Sequence, residues 1–570
     1  MANVIGTAGE AWTEVYAVPF NGIVKLISGS PKAIGCVGTS IPSDGDVGFT
    51  IDRKGVDVVV LGGERLYLRS YRGAVEITLI PNKVKSDSQL SPPQRTAFGE
   101  LKVESMTPIT QITANYGLLN NVLTVSDSGE SGINSIVNNK FTCDSGTSPT
   151  GLASILTLRQ LTYRAGQGAM ARFTAIFDPG MTGNLQAAGL ITAENAFVFG
   201  YIGEDFGIAY LHDGIDELQE LTLTAPASSA ETAAIDIDGV TYSVNLSGVG
   251  TVEGDAFEIS ESLNIQVPNH NFTSNGADVV SQAVITGPHG AFAYSSATSA
   301  GAWIQISVGA DPVQDFIPQG QWNVDTRISA DQKINLDHQM GNVYQIQFQY
   351  LGFGAISFYV EDSASGDFVL VHRIQFANVN TEPSVTNPTF RVGWLSRNVG
   401  STVSARVQGS SAGAFVEGLV VRDTPPRSDQ NDQPGIGTAL TNILSVRNRV
   451  SFGGKVNRAE IFPLIMSASS QTNKAAFFEV LINPTYAEPV IFNYVDKAGS
   501  LAEYSKSNAE VTGGQQIASI TVVDGAPQTL RFNESNVTPI FPGATVCIAA
   551  KMSGGAAADC QATSTWQEDL

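Results

Sequence analysis

The run Tyr344-Gln345-Ile346-Gln347-Phe348-Gln349-Tyr350 places a polar glutamine after every apolar residue without a break. Successive side chains of a strand point to opposite faces, so this period of two is the mark of a strand with one buried face. The pattern recurs. Ala171-Arg172-Phe173-Thr174-Ala175-Ile176-Phe177 begins the same way, and apolar runs at 352–360 and 368–374 follow. Phe197-Val198-Phe199-Gly200-Tyr201 and Phe206-Gly207-Ile208-Ala209-Tyr210 are aromatic-rich with an internal glycine, which in a strand marks a bulge or a close backbone approach. Helical spacing appears convincingly only at 255–265, where Ala256, Ile259 and Leu263 share a face and Asp255 stands where a cap belongs. With 57 glycines in 570 residues to serve turns, the expected fold is all-β, a set of jelly-roll-like β-sandwiches with one small α+β module.

Changes of texture divide the chain. Residues 1–88 read as short strands at regular spacing, a small N-terminal antiparallel sandwich. A polar stretch at 89–94, with Pro92 and Pro93, reads as a linker. The segments 98–215 and 316–422 share one style and are expected to be two halves of a single sandwich. Between them, 216–315 reads as an inserted α+β module, with a hairpin turning at Asp238-Gly239. Residues 423–436 carry three prolines and three aspartates and read as a second linker, and 437–570 as a C-terminal β domain.

The net charge is −22, and no Lys/Arg cluster offers a surface to phosphates, so nucleic acid is excluded as a partner. Solubility accounts for the acidity, with Ca²⁺-binding loops as the sharper alternative. No run approaches the ~18 apolar residues of a membrane span, so no membrane insertion is expected. The first six residues lack the basic and apolar regions of a secretion signal. Four cysteines (Cys36, Cys143, Cys547, Cys560) are too few for a disulfide scaffold. Buried thiols are expected, with a Cys547–Cys560 pairing left open.

Motifs that could carry chemistry fall in the wrong local context. His212, His270, His289, His338 and His372 form no metal-binding pattern, and structural or surface roles are expected of them. Gly409-Ser410-Ser411-Ala412-Gly413 has the letters of a nucleophile elbow. An elbow needs a helix after it, whereas Ala414-Phe415-Val416-Glu417 is strand-like, so a hairpin turn is expected. The glycine-rich turn at 164–169 lacks the helix and lysine of a phosphate loop. Glu253, Asp255 and Glu258 match a glycosidase spacing, but at a helix start, where Asp255 and Glu258 have capping-box spacing. Asp213, Asp216, Glu217 and Glu220 are expected to form a solvated junction. Glu361, Asp362 and Asp367 belong to a polar hairpin turn, with Ca²⁺ binding as the alternative. Trp303, Trp322, Trp394 and Trp566 could stack on sugar rings, though core packing is the commoner fate. No catalytic, cofactor or metal residue is assigned, and no enzyme is expected.

Several stretches taken in order resemble a known group. They are 163–168 leading into Arg172-Phe173, the aromatic runs at 197–201 and 206–208, Trp322-Asn323-Val324-Asp325, 342–346, Gly352-Phe353-Gly354-Ala355-Ile356-Ser357-Phe358, 368–374 and Asn387-Pro388-Thr389-Phe390. The series resembles the central region of fibre-like and other virion structural proteins of tailed bacteriophages, including marine and cyanobacterial ones. The Gly-x-Gly-x-Ile-x-Phe hairpin is also similar to strands of concanavalin-like lectin and laminin-G-type jelly rolls. The hairpin at 237–244 resembles modules spliced into phage structural proteins, Phe541-Pro542-Gly543 to Asp569 resembles their terminal domain, and 1–85 is similar to small particle-anchoring domains. The resemblance implies a fibre or spike subunit at the virion surface, released by host lysis, commonly a homotrimer. Its partners would be other virion proteins, with a host surface polysaccharide as a further implied partner. A capsid decoration or vertex protein, and a polysaccharide-binding or -degrading lectin-like protein, are the alternatives. The resemblance carries no catalytic residues and no cofactor.

Overall fold

The structure is a computed structural model. Within residues 1–104 it describes the eight strands named below. From 105 on it describes everything except 129–130, 238, 249, 268–269, 284–291, 329–335, 472–474, 489, 524, 533–537 and 570. The chain is nearly all β, built from antiparallel sheets, and divides into two units, Met1–Val103 and Glu104–Leu570. The expected linker at 89–94 lies outside the described residues.

The first unit holds two four-stranded sheets. One runs Val4–Ala8, Val75–Pro81, Phe20–Ser28, Val56–Val60; the other runs Thr13–Tyr16, Arg65–Ser70, Ala33–Gly38, Phe49–Ile51. Leu66 and Tyr67 are buried.

In the second unit, strands from both sides of the 218–307 stretch share two large sheets. The first has the order Leu123–Ser128, Leu152–Thr157, Thr389–Asn398, Asn184–Ile191, Ala196–Ile202, Asp205–His212, Val313–Pro318. The second has Ile133–Val137, Lys140–Asp144, Arg406–Gly409, Ala169–Phe177, Asn342–Phe348, Ile356–Glu361, Phe368–Ile374. The alternation that marks these strands in the sequence supplies their common core. Phe173, Phe197, Phe199, Tyr344, Phe348, Phe358, Phe390 and Trp394 are all buried in one cluster. Phe199 meets Tyr344 at 4.7 Å between ring centres, and Phe197 meets Phe390 at 4.9 Å, within the range of favourable aromatic pairs. The Trp394 indole N–H donates to the Thr174 carbonyl at 2.8 Å, so the one polar atom of the ring is satisfied.

The 409–413 stretch is not the hairpin turn expected of it. Arg406–Gly409 and Ser411–Glu417 both pair with the same strand, Ala169–Phe177, so the chain runs on with a break at Ser410. The Thr174 hydroxyl accepts the N–H groups of Ser410 and Ser411 at 2.8 and 3.2 Å and stitches the break. The glycine signal has another cause: a Cβ on Gly409 would lie 2.2 Å from the Trp394 ring.

The 218–307 stretch forms sheets of its own. Ile215 and Ala310 close its neck with two backbone hydrogen bonds of 2.9 and 3.0 Å. Its first sheet orders His270–Asn275, Asp278–Ala283, Leu218–Ala225, Ala300–Ser307; its second orders Val240–Leu246, Glu231–Ile237, Ala293–Ser295. Ile237 faces Val240 across a two-residue turn, the hairpin read at Asp238-Gly239. The helix runs Val252–Gln266 and buries Ala256, Ile259 and Leu263, the face read from the sequence. Its cap is Thr251, whose hydroxyl accepts the Gly254 N–H at 3.1 Å. Asp255, expected to cap, is fully buried and accepts the Ala227 N–H at 2.6 Å. The capping position moved because Thr251 starts the helix one turn earlier.

The C-terminal part has a sheet ordered Arg427–Ile436, Ala558–Asp569, Glu460–Ser470, Gln528–Arg531. A second sheet is ordered Asn493–Tyr494, Ala502–Ser505, Thr441–Asn448, Thr545–Met552, Ala476–Ile482, Gln515–Val522. The linker expected at 423–436 is therefore corrected over 427–436: these residues are an edge strand, in register from Arg427 opposite Trp566 to Gln433 opposite Cys560. Its residues alternate between half-buried and exposed, but both faces are polar, so no hydrophobic pattern announces it. Pro434 sits where the register shifts, where an absent N–H costs no ladder bond. Cys143, Cys547 and Cys560 are free, buried thiols, the latter two on strands of different sheets.

Candidate functional site

Two places concentrate polar chemistry: an open groove at one edge of the large sandwich, and a buried charge junction. Val313–Pro318 is the last strand of the first sheet, and Phe368–Ile374 is the last strand of the second. Between them lies a groove of about 570 Å³, lined on one side by Asp315, Phe316 and Ile317 and on the other by Ile374, Phe376, Asn380, Thr381 and Glu382. Tyr210 and His212 form its floor, the two rings stacked at 4.5 Å and 17°. Tyr210 is held from behind by a hydrogen bond to the Ser384 carbonyl and by edge contact with Phe376 at 5.8 Å. Burial raises its phenol well above the usual range, so it stays protonated. His212 reaches two carboxylates, Nδ1 to Asp213 Oδ2 at 2.6 Å and Nε2 to Asp315 Oδ2 at 3.4 Å. Asp213 is positioned by a left-handed backbone, φ 62°, at the end of its strand. The arrangement holds two carboxylates on one imidazole ring, while Phe316, on the opposite face of its strand, packs over Gly207.

The junction lies where the large sandwich, the neck of the 218–307 stretch and the C-terminal part meet. Arg458 reaches Glu194 at 3.0 Å and Asp216 at 3.4 Å. Gly214 passes close enough to Glu194 that a Cβ would fall 2.7 Å from its backbone. Arg159 reaches Glu460 at 3.4 Å, and Arg164 reaches Asp569 at 2.5 Å. Arg422 lies 3.5 Å over the Phe462 ring. Burial, aided by nearby Glu194 and opposed by Arg458, pushes Asp216 up to about 6. Burial pushes Glu460 up to about 7 against the pull of Arg159 and Arg422. Burial, with Arg458 beside it, lowers Arg391 to about 10. These groups belong to contacts between parts of the chain and do not line the groove, so they lock elements together.

Asp213, Asp216, Glu217 and Glu220 are thus not a solvated junction. Asp216 and Glu217 are buried, Glu220 meets Lys497 at 3.5 Å, and only Asp213 is open, in the groove. Sequence reading located His212 and Asp213 but missed Asp315 and Glu382, which lie over 100 residues away along the chain. His338 bonds Tyr201 and Gln319 at 3.0 and 2.8 Å, and burial lowers it to about 4, so it is neutral. His372 is buried and accepts the Asn323 N–H at 3.1 Å. His270 is buried beside Phe292, and His289 lies outside the described residues. The turn at 362–367 is closed by Asp362, whose carboxylate accepts the Ala364 N–H at 3.0 Å. Among the described residues no three His, Cys, Asp or Glu side chains are grouped to hold a metal ion. Trp322, Trp394 and Trp566 are core residues, and Trp303 packs half-buried against Phe292 at 5.0 Å. Glu258 accepts the Ser247 N–H at 2.8 Å and does not face a cleft with Asp255.

No family model matches the chain, and no curated protein matches it. A structure of Sulfolobus Turreted Icosahedral Virus aligns at 7% identity with a TM-score of 0.13, over 82% of this chain and 100% of that one. A structure reported for the triple jelly roll fold and turret assembly of an archaeal virus aligns at 7% identity and 0.13, over 82% and 98%. Scores this low assign this chain neither a fold family nor a role.

Proposed function

We propose that the protein is a structural subunit of a virus particle, a fibre or spike component that projects from the surface and meets the host, working by binding and not by turnover. The observation that carries the reading is the way the second unit is joined. The junction arginines and carboxylates tie three of its parts together, and the long C-terminal strand Ala558–Asp569 is flanked on both sides by strands of the same sheet. Such an assembly holds its parts in fixed positions, as display on a particle requires. The order of sequence stretches, which resembles that of phage fibre-like proteins, supports the same reading. A trimer would cover the free sheet edges that the large sandwich leaves.

The experiment is direct. Particles purified from the host in which this chain is made are expected to contain it by mass spectrometry, with gold-labelled antibody outside the capsid shell. Recovery of the protein only from the particle-free lysate would overturn the reading. Sedimentation of the purified protein at trimer mass is the expected assembly state.

A further inference from the structure

We infer that the groove between the two sheet edges binds a saccharide that carries no acidic group. The inference rests on the display reading only for the source of that saccharide, the host surface. Its volume of about 570 Å³ lies within the ~300–1,000 Å³ range of small-ligand sites.

The chemistry of its walls selects the ligand. Asp213, Asp315 and Glu382 supply three carboxylates, and among the described residues no Lys or Arg lines the groove. These carboxylates outnumber the single His212 imidazole set between two of them, so an anionic ligand such as a uronic or sialic acid would meet net like charge. Carboxylates accept hydrogen bonds only, so they suit a ligand rich in hydroxyl donors. Asn380 and Thr381 both donate and accept, so they can serve hydroxyls in either sense. Ile317 and Ile374 offer an apolar face beside these groups, where the C–H face of a pyranose ring can lie. An alternation of C–H face and hydroxyl edge is the surface of a sugar, whereas an aliphatic ammonium would leave the amide and hydroxyl groups idle.

The supporting geometry is fixed before any ligand arrives. His212 is pinned flat on Tyr210 and holds Asp213 and Asp315 from either side. Tyr210 is in turn anchored to Ser384, within the loop between Ile374 and Thr389 that carries Asn380, Thr381 and Glu382. A side chain held this way loses little freedom on binding, so each hydrogen bond contributes more of its worth. Because the groove is open, it suits an internal segment or a branch of a longer glycan.

The test uses the purified full chain and isothermal titration with neutral hexasaccharides of glucose, mannose, galactose and N-acetylglucosamine. Oligogalacturonate and a lysine-rich peptide are the opposing arms. At least one neutral oligosaccharide is expected to bind, and oligogalacturonate is not. Asp315→Asn, Asn380→Ala and Glu382→Gln, all at exposed positions, are each expected to weaken binding tenfold or more with the melting temperature unchanged. Three results would overturn the inference: no binding by any neutral saccharide, preference for the acidic one or the peptide, or binding that survives all three substitutions. A failure here leaves the particle experiment untouched, and the reverse also holds, so the two readings fall separately.

Discussion

Folding puts the Glu460 carboxyl, only 5% exposed, opposite Arg159 and near Arg422 and Asp569. Taken out of water, the charged form is disfavoured more than the arginines can restore, and its pKa rises from 4.5 to about 7. Asp216, beside Glu194 and Arg458, rises from 3.8 to about 6 for the same reason. The sign follows from proton binding. Between the ordinary and the raised value the folded state holds a proton that the unfolded state has lost, so stability falls as pH rises through that window. The contribution is complete below the unfolded values of 3.8 and 4.5 and is lost as pH rises through about 6 for Asp216 and about 7 for Glu460. Glu460→Gln removes that loss for its site. At pH 8 the variant is expected to be more stable than the parent by about 1–3 kcal/mol, and at pH 4.5 the two should nearly coincide. Urea unfolding at both pH values reads the difference. A variant less stable than its parent at pH 8 would mean that the Arg159 ion pair outweighs the burial of the charge.

At the level of the element, the amide hydrogens of Arg427–Ile436 distinguish strand from linker. An edge strand bonds its partner through roughly every other N–H, and those amides exchange slowly while the chain stays folded. Hydrogen–deuterium exchange is expected to protect alternate positions across 427–433 against the Ala558–Asp569 strand. Uniformly fast exchange would show that the segment is a linker after all. This strand also shows where sequence reading stops. At 344–350 the buried face is apolar, so the period of two is visible in one pass. At 427–436 the same period exists in space but is written in Arg, Asp, Asn and Gln, because an exposed edge is kept polar against unwanted pairing. The helix was legible by its apolar face, yet its start was not, since Asp255 and Thr251 both have the chemistry of a cap and only packing decides between them. The junction and groove were less legible still. Arg458 and Asp216 stand 242 residues apart, and no local pattern marks a residue whose partner is so distant. Asp315 and Glu382 come beside His212 for the same reason, through sheet edges that only the fold aligns.

For the molecule as a whole, the division at Val103–Glu104 makes a claim about autonomy. Each unit has strands that complete sheets within it. The eight strands of residues 4–81 pair among themselves, and the second unit closes its own large core around Trp394 and Phe390. A chain beginning at Glu104 should therefore keep a cooperative melting transition and its monomer-level secondary structure, measured by circular dichroism. If residues 1–103 dock the protein on a particle, the same truncation should be missing from particles assembled in its presence. The two readouts separate folding from attachment. A truncated chain that melts normally and is absent from particles places the dock in the first unit. Normal incorporation would place it beyond Val103 and reverse the polarity of the projection. An unfolded product would contradict the division itself, because a core of this size that collapses without the first unit would not be independent of it.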